Sequence, residues 1–293
     1  MNSDTYTILV PIGFSSQSMI ALEQAERLAS LNGGEITLLS VIETSGVLLR
    51  LFGEDEDNYK SVRNQLQSKL DKLAAEVNNR SGVKVNAMAT RGKVYQKIVE
   101  VADLINAKLI VMGTNGSPTE FTKKLIGSNA YRVVTTSPCP VITIKGTDHF
   151  KGCRNIILPL DLEKQTKEKV SHALNLARLW RATVKVVSVS TTTDEELIST
   201  LQLNLNQVCN FLQKGGVKAT AELISSNGNS LADIVVNYGK ENEGDLIMIM
   251  TQQETEFTIH FVGSSAKSII YNSDIPVMSV RPVVTIADSY DLP

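Results

Sequence analysis

The chain has 293 residues, of which 42% are hydrophobic and 20% charged. That composition describes a globular protein long enough for two domains of about 140 residues each. Lys and Arg total 29 against 31 Asp and Glu, for a net charge of -2. With no long basic run or basic–aromatic interleaving, a nucleic-acid partner is excluded from the expectations. The stretch Met1 to Thr7 is polar, and no apolar run reaches the ~20 residues of a membrane span, so a cytoplasmic protein without a membrane partner is expected. Cys139, Cys153 and Cys209 are odd in number and lack CxxC spacing. They read as buried or neutral thiols rather than a disulfide framework or a zinc site.

The first element is the apolar run Thr7, Ile8, Leu9, Val10, closed by Pro11 and then Gly13, which predicts a buried parallel strand. Ser15 or Ser16 caps the helix that follows, whose apolar positions Ile20, Leu22, Ala25, Leu28 and Ala29 recur at near-helical spacing. Asn32, Gly33 and Gly34 end it. Ile36 to Ile42 predicts the second strand. A loop carrying Glu54, Asp55, Glu56 and Asp57 precedes a helix with Val62, Leu66, Leu70, Leu73 and Val77 on one face. The acidic run is read as a solvated loop, metal binding being a poor second without a glycine-punctuated calcium pattern.

Val83 to Ala89 predicts strand three, and Gly92 precedes a helix through Ile98, Val99 and Ala102. Leu109 to Met112 predicts strand four, running into Gly113, Thr114, Asn115 and Gly116. Ten residues later Gly127 and Ser128 open a helix to Thr136, and Pro140 to Ile144 predicts strand five. A glycine pair beside a helix N-terminus turns backbone amides toward an anion, which reads as a phosphate cradle. The same residues also fit a strand end and an ordinary helix cap.

The second half repeats the first. Ile156, Ile157, Leu158, Pro159 matches Ile8, Leu9, Val10, Pro11, and Thr183 to Val189 matches strand two. Val217 and Lys218 return Val83 and Lys84, Gly228 returns Gly92, and Leu246 and Ile247 return Leu109 and Ile110. Gly263 and Ser264 return Gly127 and Ser128, and Pro276 and Val277 return Pro140 and Val141. The chain is a tandem duplication, divided at 1–148 and 149–293. Alternation of strand and helix predicts an α/β fold of two doubly wound domains. Each is a five-stranded parallel sheet with helices on both faces, Rossmann-like in plan. Ligands in such sheets sit beyond the carboxyl ends of the strands where strand order reverses, so Pro11 to Gly13 and Gly113 to Gly116 are expected to share a crevice if strands one and four are neighbours.

This pattern resembles the universal stress protein family in its tandem form, over Tyr6 to Arg281. The matching features are the first strand ending in Pro, the glycine-spaced segment after strand four with its Gly and Ser, and the Pro–Val opening of the last strand. The resemblance implies a stress-response regulator that binds ATP or a related adenine nucleotide, with Mg²⁺ accompanying it. Carried over by position, it implies Pro11, Ile12, Gly13 and Val41 near the base, Met112 and Gly113 near the ribose, and Gly116, Gly127, Ser128 and Asn129 near the phosphates.

Two departures separate the halves. In the first, Gly13 stands where the family has Asp, and the spacer Ser117 to Ile126 is ten residues rather than nine. In the second, Asp161 and a nine-residue spacer are present, but Met250 and Gln253 replace the glycines. A side chain at such a position fills the space a phosphate needs, so the second half is expected to be closed to nucleotide and to serve as a structural partner. A bulky residue at Gly113 is expected to abolish binding with the fold intact.

The competing expectation is an interaction module acting through protein partners or another small ligand. A metabolic enzyme has least support, since there is no Walker A sequence, GxGxxG fingerprint or HExxH. Ser128 has no base in view and reads as a cap; Lys123 and Lys124 read as a solvated face; His149, His172 and His260 fall in a linker, a helix and a variable loop. At most slow ATP hydrolysis is expected, with no catalytic residue assigned. The terminal strands Val141 to Ile144 and Val277 to Val280 are expected to be sheet edges. Resemblance implies that they pair with each other, making a pseudo-dimer within one chain, with a homodimer of chains as a further step.

Overall fold

The computed structural model describes residues 5–43, 56–114, 127–145, 153–160, 166–253, 260–261 and 264–281. Its first half runs β1 (Thr7–Pro11), α1 (Ser16–Asn32), β2 (Glu35–Glu43), α2 (Glu56–Ser81), β3 (Val85–Gly92), α3 (Val94–Leu104), β4 (Leu109–Gly113), α4 (Ser128–Thr136) and β5 (Val141–Ile144). The second runs β6 (Asn155–Leu160), α5 (Thr166–Trp180), β7 (Thr183–Ser190), α6 (Glu195–Lys214), β8 (Ala219–Ser225), α7 (Leu231–Glu241) and β9 (Leu246–Met250). It closes with β10 (Gln252–Gln253), β11 (His260–Phe261), α8 (Ser264–Asn272) and β12 (Val277–Val280).

The strands form one sheet of ten in the order β3-β2-β1-β4-β5-β12-β9-β6-β7-β8. Each half is parallel within itself, and strand order reverses between β1 and β4, where Ile8 faces Leu109, and again between β6 and β9, where Ile156 faces Leu246. The two expected edges meet: β12 runs antiparallel to β5 with Thr143 opposite Val277 and Val141 opposite Ser279. A crossover between parallel neighbours would need a covering helix, whereas an antiparallel seam needs none.

Successive strand residues face opposite ways. Ile8, Val10, Ile142, Leu158 and Met278 therefore join one apolar layer with α1, α2, α5 and α6. Leu9, Ile110, Val141, Ile157 and Val277 join the other with α3, α4, α7 and α8. Both layers run through the seam, so the halves share their cores.

The ends of α1 follow the sequence reading, whereas α2 and the second half's turn differ from it. Ser15, not Ser16, caps α1, accepting from the Ser18 amide, and Gly33 ends the helix in the left-handed region at φ 66°. Glu56 and Asp57 belong to the first turn of α2 rather than to a loop. Along that helix Leu70, Leu73 and Val77 are buried but Val62 is 45% exposed, because only the C-terminal turns reach the sheet's apolar layer. In the second half an additional two-stranded antiparallel pair appears, Gln252 opposite Phe261 and Gln253 opposite His260.

Candidate functional site

A cavity of about 420 Å³ opens at the carboxyl ends of β1, β2 and β4, beside the reversal of strand order. This is a volume suited to a small ligand. Pro11, Ile12 and Gly13 line it from the end of β1, Val41 from β2, Met112 and Gly113 from β4, and Gly127, Ser128 and Asn129 from the start of α4. Nine of the ten residues expected at the site thus come together. Gly116 lies outside the described residues, as do Lys123 and Lys124.

Backbone hydrogen bonds fix the frame. Ile12 N–H donates to the Leu39 carbonyl at 2.8 Å, holding the β1 exit against β2. Thr114 N–H donates to Ile144 at 2.9 Å, and the Thr114 carbonyl accepts from the Gly127 amide at 2.9 Å. The last bond ties the end of β4 directly to the start of α4.

That placement decides what the helix can do. Gly127 is the N-cap, with φ −56° and ψ 143°, and supplies no side-chain cap. Ser128, expected to cap, is instead the first helical residue. The first intrahelical bond runs from Tyr131 N–H to the Gly127 carbonyl at 3.1 Å, leaving the amides of Ser128, Asn129 and Ala130 without helical partners. All three residues line the cavity. Unpaired amides and the helix dipole make this end attractive to an anion. No charged side chain lines the cavity among the described residues; among them, the groups offered to an anion are these amides and the Ser128 hydroxyl.

Two residues that shape the site, one lining it and one packed behind it, were not singled out in the sequence. Thr114 is buried, and its Oγ1 has no hydrogen-bond partner among the described residues; its signal was its place inside the glycine-spaced segment. Gln17, behind the wall on α1, donates from Nε2 to the Lys145 carbonyl at 2.6 Å. A Cβ added at Gly113 would lie 2.9 Å from the Gln17 Cβ. Helix packing alone therefore demands glycine there, and the expectation that a bulky residue would leave the fold intact is corrected. Gly13 differs: a Cβ there would meet nothing within 4 Å.

The equivalent cavity of the second half holds about 150 Å³. Met250, in place of Gly113, lines it with Pro159 and Leu160, and is itself buried. Lys169 also lines it, donating from Nζ to the Pro159 carbonyl at 2.5 Å. Gln253 sits in the β10–β11 hairpin, and Asp161 and Gly263 lie outside the described residues.

Elsewhere the described residues offer little chemistry. They contain no group of three His, Cys, Asp or Glu placed to hold a metal, and no helix long and apolar enough to cross a membrane. His172 stands 3.7 Å from Glu168 on the surface of α5; His149 lies outside the described residues, and His260 falls in β11. All three cysteines are free. Burial pushes the Cys139 thiol up to about 11 and raises Cys153 and Cys209 as well, so none is poised as a thiolate near neutral pH.

The model of the universal stress protein family matches this chain twice, at residues 5–145 and 152–281. The universal stress protein Sll1654 of Synechocystis sp. is 30% identical over 138 residues, 47% of this chain and 84% of that relative. The solved universal stress protein of Archaeoglobus fulgidus DSM 4304 superposes with a TM-score of 0.75 at 18% identity, covering 96% of this chain and 99% of that one. Another from Archaeoglobus fulgidus, solved in complex with dAMP, matches 43% of this chain and 97% of its own at 22% identity and a TM-score of 0.37.

Proposed function

From the premise that the chain belongs to the universal stress protein family, we propose that its first half binds ATP or a related adenine nucleotide. Mg²⁺ would travel with the phosphates, and the second half serves as the structural partner in a stress-response regulator. One observation carries the reading: the first residues of α4, whose amides have no helical partners, line a cavity of about 420 Å³ at the sheet's switch point that has no charged side chain among the described residues. Residues assigned to the base are Pro11, Ile12, Gly13 and Val41; those assigned to the ribose are Met112 and Gly113. Gly116, Gly127, Ser128 and Asn129 are assigned to the phosphates. Magnesium would supply positive charge beside the phosphates, where the described wall residues carry none. With no titratable side chain on the wall among the described residues, the site reads as a binding site without a general base.

The second reading, a module for another small ligand or a protein partner, is favoured by Gly13, which leaves the base end without a carboxylate. Gly127→Asp separates the two. Its φ and ψ suit any N-cap residue, and Asp caps helices well while placing a negative charge where phosphate would sit. The proposal expects calorimetric binding of about one Mg-ATP per chain, lost in Gly127→Asp with thermal stability kept. No heat at millimolar Mg-ATP and no nucleotide released on denaturing the purified protein would favour the second reading.

A further inference from the structure

A cation just beyond the last strand of each half crosses the seam to the final helix of the other. Arg281, following β12, donates from Nη1 to the carbonyls of Ser137 at 2.8 Å and Thr136 at 3.3 Å, where α4 ends. Lys145, following β5, donates from Nζ to the Tyr271 carbonyl at 2.6 Å, in the last turn of α8. The two cations occupy equivalent positions of the duplication, each directly after a four-residue strand. The antiparallel seam makes the exchange possible, because the exit of each strand lies beside the entry of the other. At the same seam Lys267 of α8 lies 5.5 Å from the Tyr131 ring of α4.

The final carbonyls of a helix carry partial negative charge and lack intrahelical donors, so a guanidinium there both satisfies them and fixes the helix end. Helix α4 has nine residues, roughly 13 Å at 1.5 Å per residue. Its other end is the amide cluster at the cavity. A helix this short moves as a unit, so a shift of its C-terminal end carries the N-terminal amides with it. Lys145 connects the same wall to the second half, since its carbonyl accepts from Gln17 while its ammonium holds α8.

We infer that Arg281 is a positioning residue for the phosphate end of the first-half site, supplied by the second half, which holds α4 so that its N-terminal amides converge on the cavity. The inference rests on the nucleotide-site reading above. It gives the second half a specific task in spite of its own smaller cavity. Partial burial draws the Arg281 guanidinium down from its usual range, so the two carbonyls stand in for lost water.

The test compares wild type, Arg281→Gln and Arg281→Lys in calorimetric binding of Mg-ATP, Mg-tripolyphosphate and adenosine, with hydrogen exchange of the segment 127–136. Arg281→Gln is expected to weaken the two phosphate-bearing ligands about fivefold, to leave adenosine unchanged and to speed exchange in α4. Arg281→Lys should restore all of these in large part. Equal weakening of adenosine, or no weakening of the phosphate ligands, overturns the inference. A wild-type chain that binds none of the three overturns the nucleotide site itself. Exchange then decides the contact alone: unchanged protection of α4 in Arg281→Gln rejects it, and faster exchange restored by Lys supports it as a helix-positioning contact.

Discussion

Gly113 and Gln17 touch so closely that a single added methyl would bring two Cβ atoms to 2.9 Å, with the Gln17 carbonyl carbon at 3.2 Å. The glycine at the end of β4 is therefore held by helix packing as well as by any ligand. Gly113→Ala should lower stability by about 1–3 kcal/mol through overpacking. Gln17→Gly removes one partner of the clash, so the cost of Gly113→Ala in that background should fall by about half. Urea unfolding of the four-member cycle measures it, and strictly additive costs would place the strain in the backbone rather than in this pair.

Gly13 offers the contrasting case. With nothing within 4 Å of an added Cβ, Gly13→Asp should change stability by no more than about 0.5 kcal/mol. A carboxylate at the base end accepts hydrogen bonds, which the exocyclic amine of adenine can donate and the carbonyl of hypoxanthine cannot. A charged hydrogen bond of about 1.5–3 kcal/mol should tighten adenosine and ATP roughly ten- to hundredfold, with a smaller gain for inosine, whose donor on that edge is N1–H. Equal gains for adenosine and inosine would move the base away from position 13.

Met250 fills the place of Gly113 in the second half and belongs to the buried core. Removing it should leave a cavity, so Met250→Gly is expected to cost about 2–5 kcal/mol. It should not create nucleotide binding, because the β10–β11 hairpin still occupies the turn. Stoichiometry in the variant that rises from one nucleotide per chain to two would show that this side chain alone closes the second site.

Local pattern carried most of the fold. The run Ile8, Leu9, Val10 and its repeat Ile156, Ile157, Leu158 mark buried strands, and the spacing after Met112 places a glycine-edged crevice beside the first strand of the first half, with Met250 and Gln253 at the equivalent positions of the second. What it could not show depends on which elements become neighbours in space. The proximity of Gln17 to Gly113, the exchange of Arg281 and Lys145 across the seam and the buried Thr114 hydroxyl leave no periodic trace. Val62 misled because helical spacing marks a face without saying how far along the helix that face stays covered. The ladder at Gln252 and Gln253 leaves no sequence signal, since two residues on each side are too short a run to show alternation.

Alkaline pH should destabilise the protein. Burial pushes the Cys139 thiol from 9.0 to about 11, and raises Tyr6 and Cys153 further. Each group holds its proton more tightly folded than unfolded. The resulting stabilisation is complete below the unfolded value and is lost as pH climbs toward the folded one. Urea unfolding should thus give a flat plateau below about pH 8 and a decline from about pH 9 to 11. Cys139 would account for roughly 1–2 kcal/mol of it. Cys139→Ala should flatten that decline; an unchanged slope would assign the loss to the other buried acids.

The outer strand β3 is closed by a side chain acting as a neighbouring strand would. Gln67 of α2 accepts from the Ala89 amide at 2.9 Å and donates to the Ala87 carbonyl at 3.1 Å, pairing the outward groups of residues two apart. At the opposite end Gln213 donates to the Ala219 carbonyl at 2.9 Å. An open edge invites pairing with another chain. Gln67→Ala should therefore cost about 1–2 kcal/mol, the worth of two hydrogen bonds, and promote concentration-dependent association seen by sedimentation. Gln67→Glu keeps the acceptor for Ala89 but turns an oxygen on the Ala87 carbonyl, so it should be destabilised as well. A Gln67→Ala variant that loses stability yet stays monodisperse would make the carboxamide a structural contact and leave edge protection to the helix around it.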